Sequence, residues 1–172
     1  MGASGTGTTT LARALADYWS VPHADADDYF WVPTDPPYVE KRPEAERLTL
    51  MERLFVPREA WVLSGSMLSW GVSIVAEFDA VVFLTLEPEE RMRRLRARER
   101  VRQERGGVDE KALEAFYAWA RSYDDPTFDG RSRVAHDRWL ANLDQPVLRL
   151  DSALAPEELR SAVLQWDSDQ VR

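Results

Sequence analysis

Apolar positions along the chain recur at two different spacings, and segments of the two kinds alternate. "TTTLARALADYW" sets Leu11, Leu15, Tyr18 and Trp19 at helical intervals. "PEAERLTLMERLF" does the same with Leu48, Met51 and Phe55, with Pro43 near its start. "DEKALEAFYAWARSY" follows suit with Leu113, Phe116, Tyr117 and Ala120, and "APEELRSAVLQW" with Leu159, Ala162, Val163 and Trp166. A shorter helix is expected in "VAHDRWLANL". Between these lie "AWVLSGS", "FDAVVFLTL" and "PVLRLD", compact apolar runs that read as buried strands. "SVPHADADDYFW" reads as a short strand ending in acids. The stretch from Val32 to Pro43 is proline-rich and without period, so a loop or lid is predicted there; "DDPTFDGRSR" is a second loop. Strands alternating with helices predict an α/β fold, a parallel sheet covered on both faces.

Composition narrows the chemistry. A chain of 172 residues suits one domain, expected to span 1–172. There is no cysteine, so disulfides and thiolate metal sites are excluded, and His23 and His136 alone offer imidazole. No apolar run approaches the length of a membrane span and no leader is evident, so a cytoplasmic protein is expected. A formal net charge of −8 argues against bulk affinity for nucleic acid. The cations are nevertheless lopsided. Lys41 and Lys111 are the only lysines, while arginine crowds the segment after Pro88, expected to be a helix broken by Gly106-Gly107. Such a distribution points to a local anion site.

The first ten residues, "MGASGTGTTT", supply a candidate for it. Read as Gly2-x-x-x-x-Gly7-Thr8-Thr9, they form a phosphate-binding loop with threonine where the pattern has lysine. Gly2, Gly5 and Gly7 allow the backbone to curl around an anion, and the helix that follows adds its positive end. Ser4, Thr6, Thr8 and Thr10 complete the candidate phosphate contacts, and Thr9 stands where this loop type supplies a Mg²⁺ ligand. A flexible Gly/Thr-rich terminus is the plainer alternative. Loss of the lysine removes a charge-assisted bond of about 1.5–3 kcal/mol, which arginines after Pro88 would offset.

"GASGTGTTTLARALA", "HADADDYFW", "WVLSGS" and "VVFLTLEPEERMRRLRAR" occur in that order. Together they resemble the nucleotide-kinase-like branch of P-loop kinases, which contains adenylate, cytidylate, shikimate and gluconate kinases. More closely, the chain resembles bacterial proteins described as adenylate-kinase-like or P-loop ATPases. Archaeal-type cytidylate kinases also end this loop in Gly-Thr-Thr-Thr. The resemblance implies a three-layer fold with an arginine-rich lid, ATP and Mg²⁺ as cofactors, and a small hydroxyl or phosphate acceptor. In shikimate- and gluconate-kinase-like proteins an Asp-x-Asp after the second strand serves the metal and the acceptor hydroxyl; Asp25 and Asp27 match it. Asp27 would then share the metal with Thr9. A helix-capping role for these acids is the alternative.

The same resemblance places an acceptor segment at about 29–56 and a lid at about 91–122. Asp28, Trp31, Arg42, Arg47, Ser64 and Ser66 become substrate-binding candidates, and Arg94 and Arg98, which share a helical face, become catalytic ones. Most lid arginines are expected to form a solvated face paired with Glu87, Glu90, Glu99 and Glu104. No acid of the Walker B kind closes the "WVLSG" strand, so metal binding falls to Thr9 and the Asp25/Asp27 loop. His136 and Trp139 are expected to be structural.

Three functions compete. The first is a kinase passing the ATP γ-phosphate to a nucleoside monophosphate or other small acceptor. The second is a nucleotide-binding module without turnover, acting as sensor or partner protein; the third is RNA binding through the arginines. One fold expectation concerns the left end. The strand that normally feeds such a loop, central in the sheet, is not visible before Gly2, and a start assigned too late or a truncated chain is expected to explain it.

Overall fold

The computed structural model describes residues 1–35, 37–104 and 109–170. Gly106 and Gly107, the expected helix break, lie outside the described residues, as do Arg105 and Pro36. In chain order the elements are α1 (Thr8–Trp19), β1 (His23–Asp25), α2 (Ala26–Phe30), α3 (Glu44–Leu54), β2 (Val62–Ser64), α4 (Val72–Val75) and β3 (Val81–Thr85). Then follow α5 (Pro88–Glu104), α6 (Glu110–Arg121), a 3₁₀ turn (Ser122–Asp124), α7 (Arg133–Leu140), β4 (Val147–Asp151) and α8 (Pro156–Gln170).

All the strand pairing between these elements is parallel, in the order β1-β2 and β3-β4. Side chains on β3 alternate between two cores, as strand geometry requires. Leu84 packs with Leu11 and Leu15 of α1 and Leu159 and Val163 of α8, with Val82 alongside, while Val81 and Phe83 pack with Leu140 of α7. The sheet is therefore covered on both faces, as its unbroken apolar strands predicted.

The two strand pairs do not meet. Between β2 and β3 lies a cavity of about 600 Å³, lined by Val62 and Leu63 on one side and Val81 and Val82 on the other. Residues 1 and 2 lie along the β3 edge: Gly2 bridges Leu84 in parallel, and the Leu84 N–H donates to the Met1 carbonyl at 2.8 Å. The split falls where a central strand was expected. A five-residue helix, α2, follows the short strand, and Asp25 caps it by accepting from the Asp27 N–H, the capping role weighed as the alternative for these acids.

Candidate functional site

The loop owes its shape to three glycines, each for a different reason. A Cβ on Gly2 would stand 2.6 Å from both the Leu84 carbonyl and Thr6 Oγ1. At Gly5, with φ +92°, it would stand 2.9 Å from the Arg91 carbonyl of α5. Gly7 caps α1 at φ +83° with open space around it, so only its left-handed backbone demands glycine. Thr6 is buried and its hydroxyl donates to the Ala3 carbonyl, which ties the loop to itself. Thr8 is half-buried and Thr10 is exposed.

Beneath the loop, Asp25 collects three donors. Its Oδ2 accepts from Thr9 Oγ1 at 2.8 Å and Ser64 Oγ at 2.7 Å, and its Oδ1 accepts from the Asp27 N–H at 3.1 Å. The parallel register sets Asp25 beside Ser64 at the carboxyl ends of β1 and β2. Ser64 gives its single proton to Asp25, so the His23 Nε2 contact at 2.9 Å runs from imidazole N–H to Ser64 Oγ. Burial lowers the pKa of His23, with Asp25 opposing. The acid absent from the end of β2 is thus supplied by β1.

Asp27 is an exposed residue with charged neighbours. Desolvation, then the neighbouring Asp25, raise its pKa, and Arg131 opposes them. A carboxyl so poised suits proton transfer. Arg131 donates from Nη2 to Ser4 Oγ at 2.7 Å, and its guanidinium lies 4.8 Å from the Trp119 ring. Arg91 is 1% exposed; it donates to Asp124 Oδ2 at 2.6 Å and to the Ser4 carbonyl at 3.4 Å. The Nε atoms of both arginines are buried without a partner. An anion seated on this loop suits them, because unpartnered buried donors carry a desolvation cost. For a divalent cation, Thr9 with Asp25 and Asp27 provides oxygen donors. No group of three His, Cys, Asp or Glu side chains able to hold a metal is present among the described residues. Mg²⁺ typically takes one or two carboxylates and completes its shell with phosphate and water.

The remaining candidates have other partners. Arg94 donates to Glu90 and to the Ser152 carbonyl, and Arg98 to Glu99 beneath the Phe116 ring; neither has a described contact with the loop. Glu90 and Glu99 hold the arginine face as expected, and Arg93 and Arg94 keep the Glu90 carboxyl down to about 2. Glu87 departs from this, accepting instead from the N–H groups of Glu89 and Glu90 at the start of α5. Arg42 donates to the carbonyls of Asp28 and Tyr29. Arg47 is buried, donates to the Arg42 carbonyl, and lies 3.8 Å over Phe30 and 5.3 Å from Trp70. Asp28 is exposed, and Trp31 meets Phe30 and Tyr38 edge-on. Ser66 Oγ contacts His136 Nε2 at 3.2 Å, while His136 Nδ1 meets the Tyr123 hydroxyl at 2.9 Å. His136 is fully buried and locks the segment after β2 to the segment after α6.

Arg131 is the residue that sequence reasoning passed over, while Arg91 lay within the expected arginine cluster without being singled out. Arg91 did leave a signal: it stands four residues before Leu95, on the apolar side of α5. Arg131 sits in a loop and left none.

No family model matches the chain. The Bacillus subtilis (strain 168) protein YqaC, itself uncharacterized, is 36% identical over 170 residues, covering 96% of this chain and 94% of that one. Among solved structures, shikimate kinase from Bacteroides thetaiotaomicron superposes with a TM-score of 0.56 at 19% identity, covering 98% of this chain and 96% of that chain. Shikimate kinase from Aquifex aeolicus gives 0.53 at 16% identity, with 99% and 96% covered. A gluconokinase from Sinorhizobium meliloti gives 0.51 at 18% identity, with 94% and 85% covered. The chain has the P-loop kinase fold and belongs to the family of the Bacillus subtilis protein YqaC.

Proposed function

We propose that the protein is a cytoplasmic kinase that moves the γ-phosphate of ATP to a nucleoside monophosphate or another small hydroxyl or phosphate acceptor. The observation that carries this reading is the hydrogen bond from Thr9, at the start of α1, to Asp25 at the end of β1. It joins a glycine-rich loop to a carboxylate on the side where an α/β sheet takes its ligands. The solved kinases sharing the fold support the same class of reaction.

Residues Gly2–Thr10 would hold the triphosphate, and Thr9 with Asp25 and Asp27 would hold Mg²⁺, which would neutralise phosphate charge. Asp27 orients the acceptor and, where the acceptor is a hydroxyl, receives its proton. The acceptor oxygen then bonds to the γ-phosphorus while the bond to the bridging oxygen breaks, and ADP leaves with that electron pair. One domain performs this, with segment 29–56 closing on the acceptor and segment 91–122 on the nucleotide. Acceptor contacts fall to Asp28, Trp31, Ser66 and the backbone that Arg42 and Arg47 hold.

A screen for ATP-dependent phosphoryl transfer across nucleoside monophosphates and small polyols tests the proposal. Product formation that disappears in Asp27→Asn is the expected result. Absence of MgATP binding in calorimetry would overturn it. Thr8 favours one other reading, a nucleotide sensor without turnover; tight MgATP binding with no transfer to any acceptor would establish that instead.

A further inference from the structure

We infer that Arg131 supplies to the nucleotide phosphates the positive charge that position 8 lacks, so that the phosphate-binding cation belongs to the segment between α6 and α7. The inference rests on the nucleotide reading of the loop. Only two arginines are recorded donating to loop atoms among the described residues, and their circumstances differ. Arg91 has a counter-ion: Asp124 pairs with it at 2.6 Å, though the same carboxylate also pairs with Arg133 at 2.7 Å. Arg131 appears in none of the ion pairs within 4.0 Å among the described residues. It is a half-buried cation, its Nε has no partner, and it touches the loop through Ser4 alone.

A half-buried guanidinium without a contact ion pair, whose carboxylate partners Asp27 and Asp25 act from further off, is costly, and proteins keep such groups where an anion arrives. Its position is fixed from outside the loop. Trp119 of α6 lies against its face, and the next residue, Ser132, is buried and caps α7 by accepting from the Ala135 N–H at 3.2 Å. Besides its 2.7 Å bond to Ser4 of the loop, Arg131 interacts electrostatically with Asp27, the carboxylate read as orienting the acceptor. That location suits charge on a phosphoryl group in transit. A guanidinium also offers paired, planar donors where an ammonium offers a point charge. Thr8 then reflects relocation of the cation, with the loop itself left short and uncharged.

The test is a four-protein cycle of wild type, Arg131→Met, Thr8→Lys and the double variant, titrated calorimetrically with MgATP and with adenosine. Arg131→Met should weaken MgATP binding by about tenfold to a hundredfold, the range of a charge-assisted hydrogen bond, and leave adenosine binding unchanged. Thr8→Lys should restore most of the loss in the double variant and change little alone. Circular dichroism checks folding, and Arg131→Lys, which keeps the charge, should retain part of the affinity if Arg131→Met is poorly folded. Equal MgATP binding by wild type and Arg131→Met would overturn this inference alone. No recovery in the double variant, or no advantage of lysine over methionine at position 131, would do the same. Wild type that does not bind MgATP would overturn the kinase reading and this inference with it.

Discussion

The hydroxyl of Thr9 donates to Asp25 over 2.8 Å, joining the first turn of α1 to the last residue of β1. Asp25 also accepts from Ser64 and from the Asp27 N–H. Asp25→Asn presents an amide to these donors and removes the charge that organises them. MgATP affinity should fall by about tenfold to a hundredfold, the range for a charged hydrogen bond. Ser64→Ala leaves the Thr9 contact intact and should cost less. Titration of both variants checks the order, and a larger loss in Ser64→Ala would show that Thr9 is not the contact that matters.

Two loop glycines should respond differently to alanine. Gly7→Ala meets no neighbour and suffers only its left-handed backbone, a cost of about 1–2 kcal/mol. Gly2→Ala drives a methyl into the Leu84 carbonyl and Thr6 hydroxyl, both 2.6 Å away. Because that carbonyl belongs to β3 it yields little, and overpacking of this kind costs about 1–3 kcal/mol or more. Thermal unfolding without nucleotide should therefore rank Gly2→Ala below Gly7→Ala. The opposite ranking would mean that the β3 edge moves freely.

Burial against Tyr123, Ser66 and Phe83 pushes His136 from an ordinary 6.5 down to about 3. Between those values the unfolded chain binds a proton that the folded chain refuses, so stability falls as pH drops through that window. This one group contributes a slope approaching about 1.4 kcal/mol per pH unit. His136→Gln removes the titration, and its stability should change less between about pH 6 and about pH 4. Denaturant unfolding across that range checks it; parallel curves for wild type and variant would assign the slope to other groups.

Much of this was legible from local pattern. The glycine spacing, the Leu11/Leu15 face and the apolar strands each depend on residues a few positions apart, and each formed where expected. The short helix α2 has no apolar period to announce it; its signal is the capping aspartate, the role weighed as the alternative for these acids. Arg42 and Arg47 stand in the sequence as substrate-binding candidates, yet one satisfies backbone carbonyls and the other stacks on Phe30. Nothing within their own segment signals that, since Trp70 comes from beyond β2.

The sequence by itself determined the class of the molecule. Alternating periods specify a parallel α/β fold, and small residues before a helix specify an anion-binding loop, because backbone conformation and amphipathic faces are local properties. Tertiary structure decided which charges face that loop. Asp25 meets Ser64 through strand register across 39 positions, and Arg131 meets Ser4 across 127. The identity of a charged side chain carries its chemistry, but its direction is set by packing of distant segments. The arginine-rich helix therefore drew attention by number, yet of its arginines Arg91 is the one that donates to Ser4 among the described residues, and the other guanidinium on Ser4 comes from Arg131 beyond it.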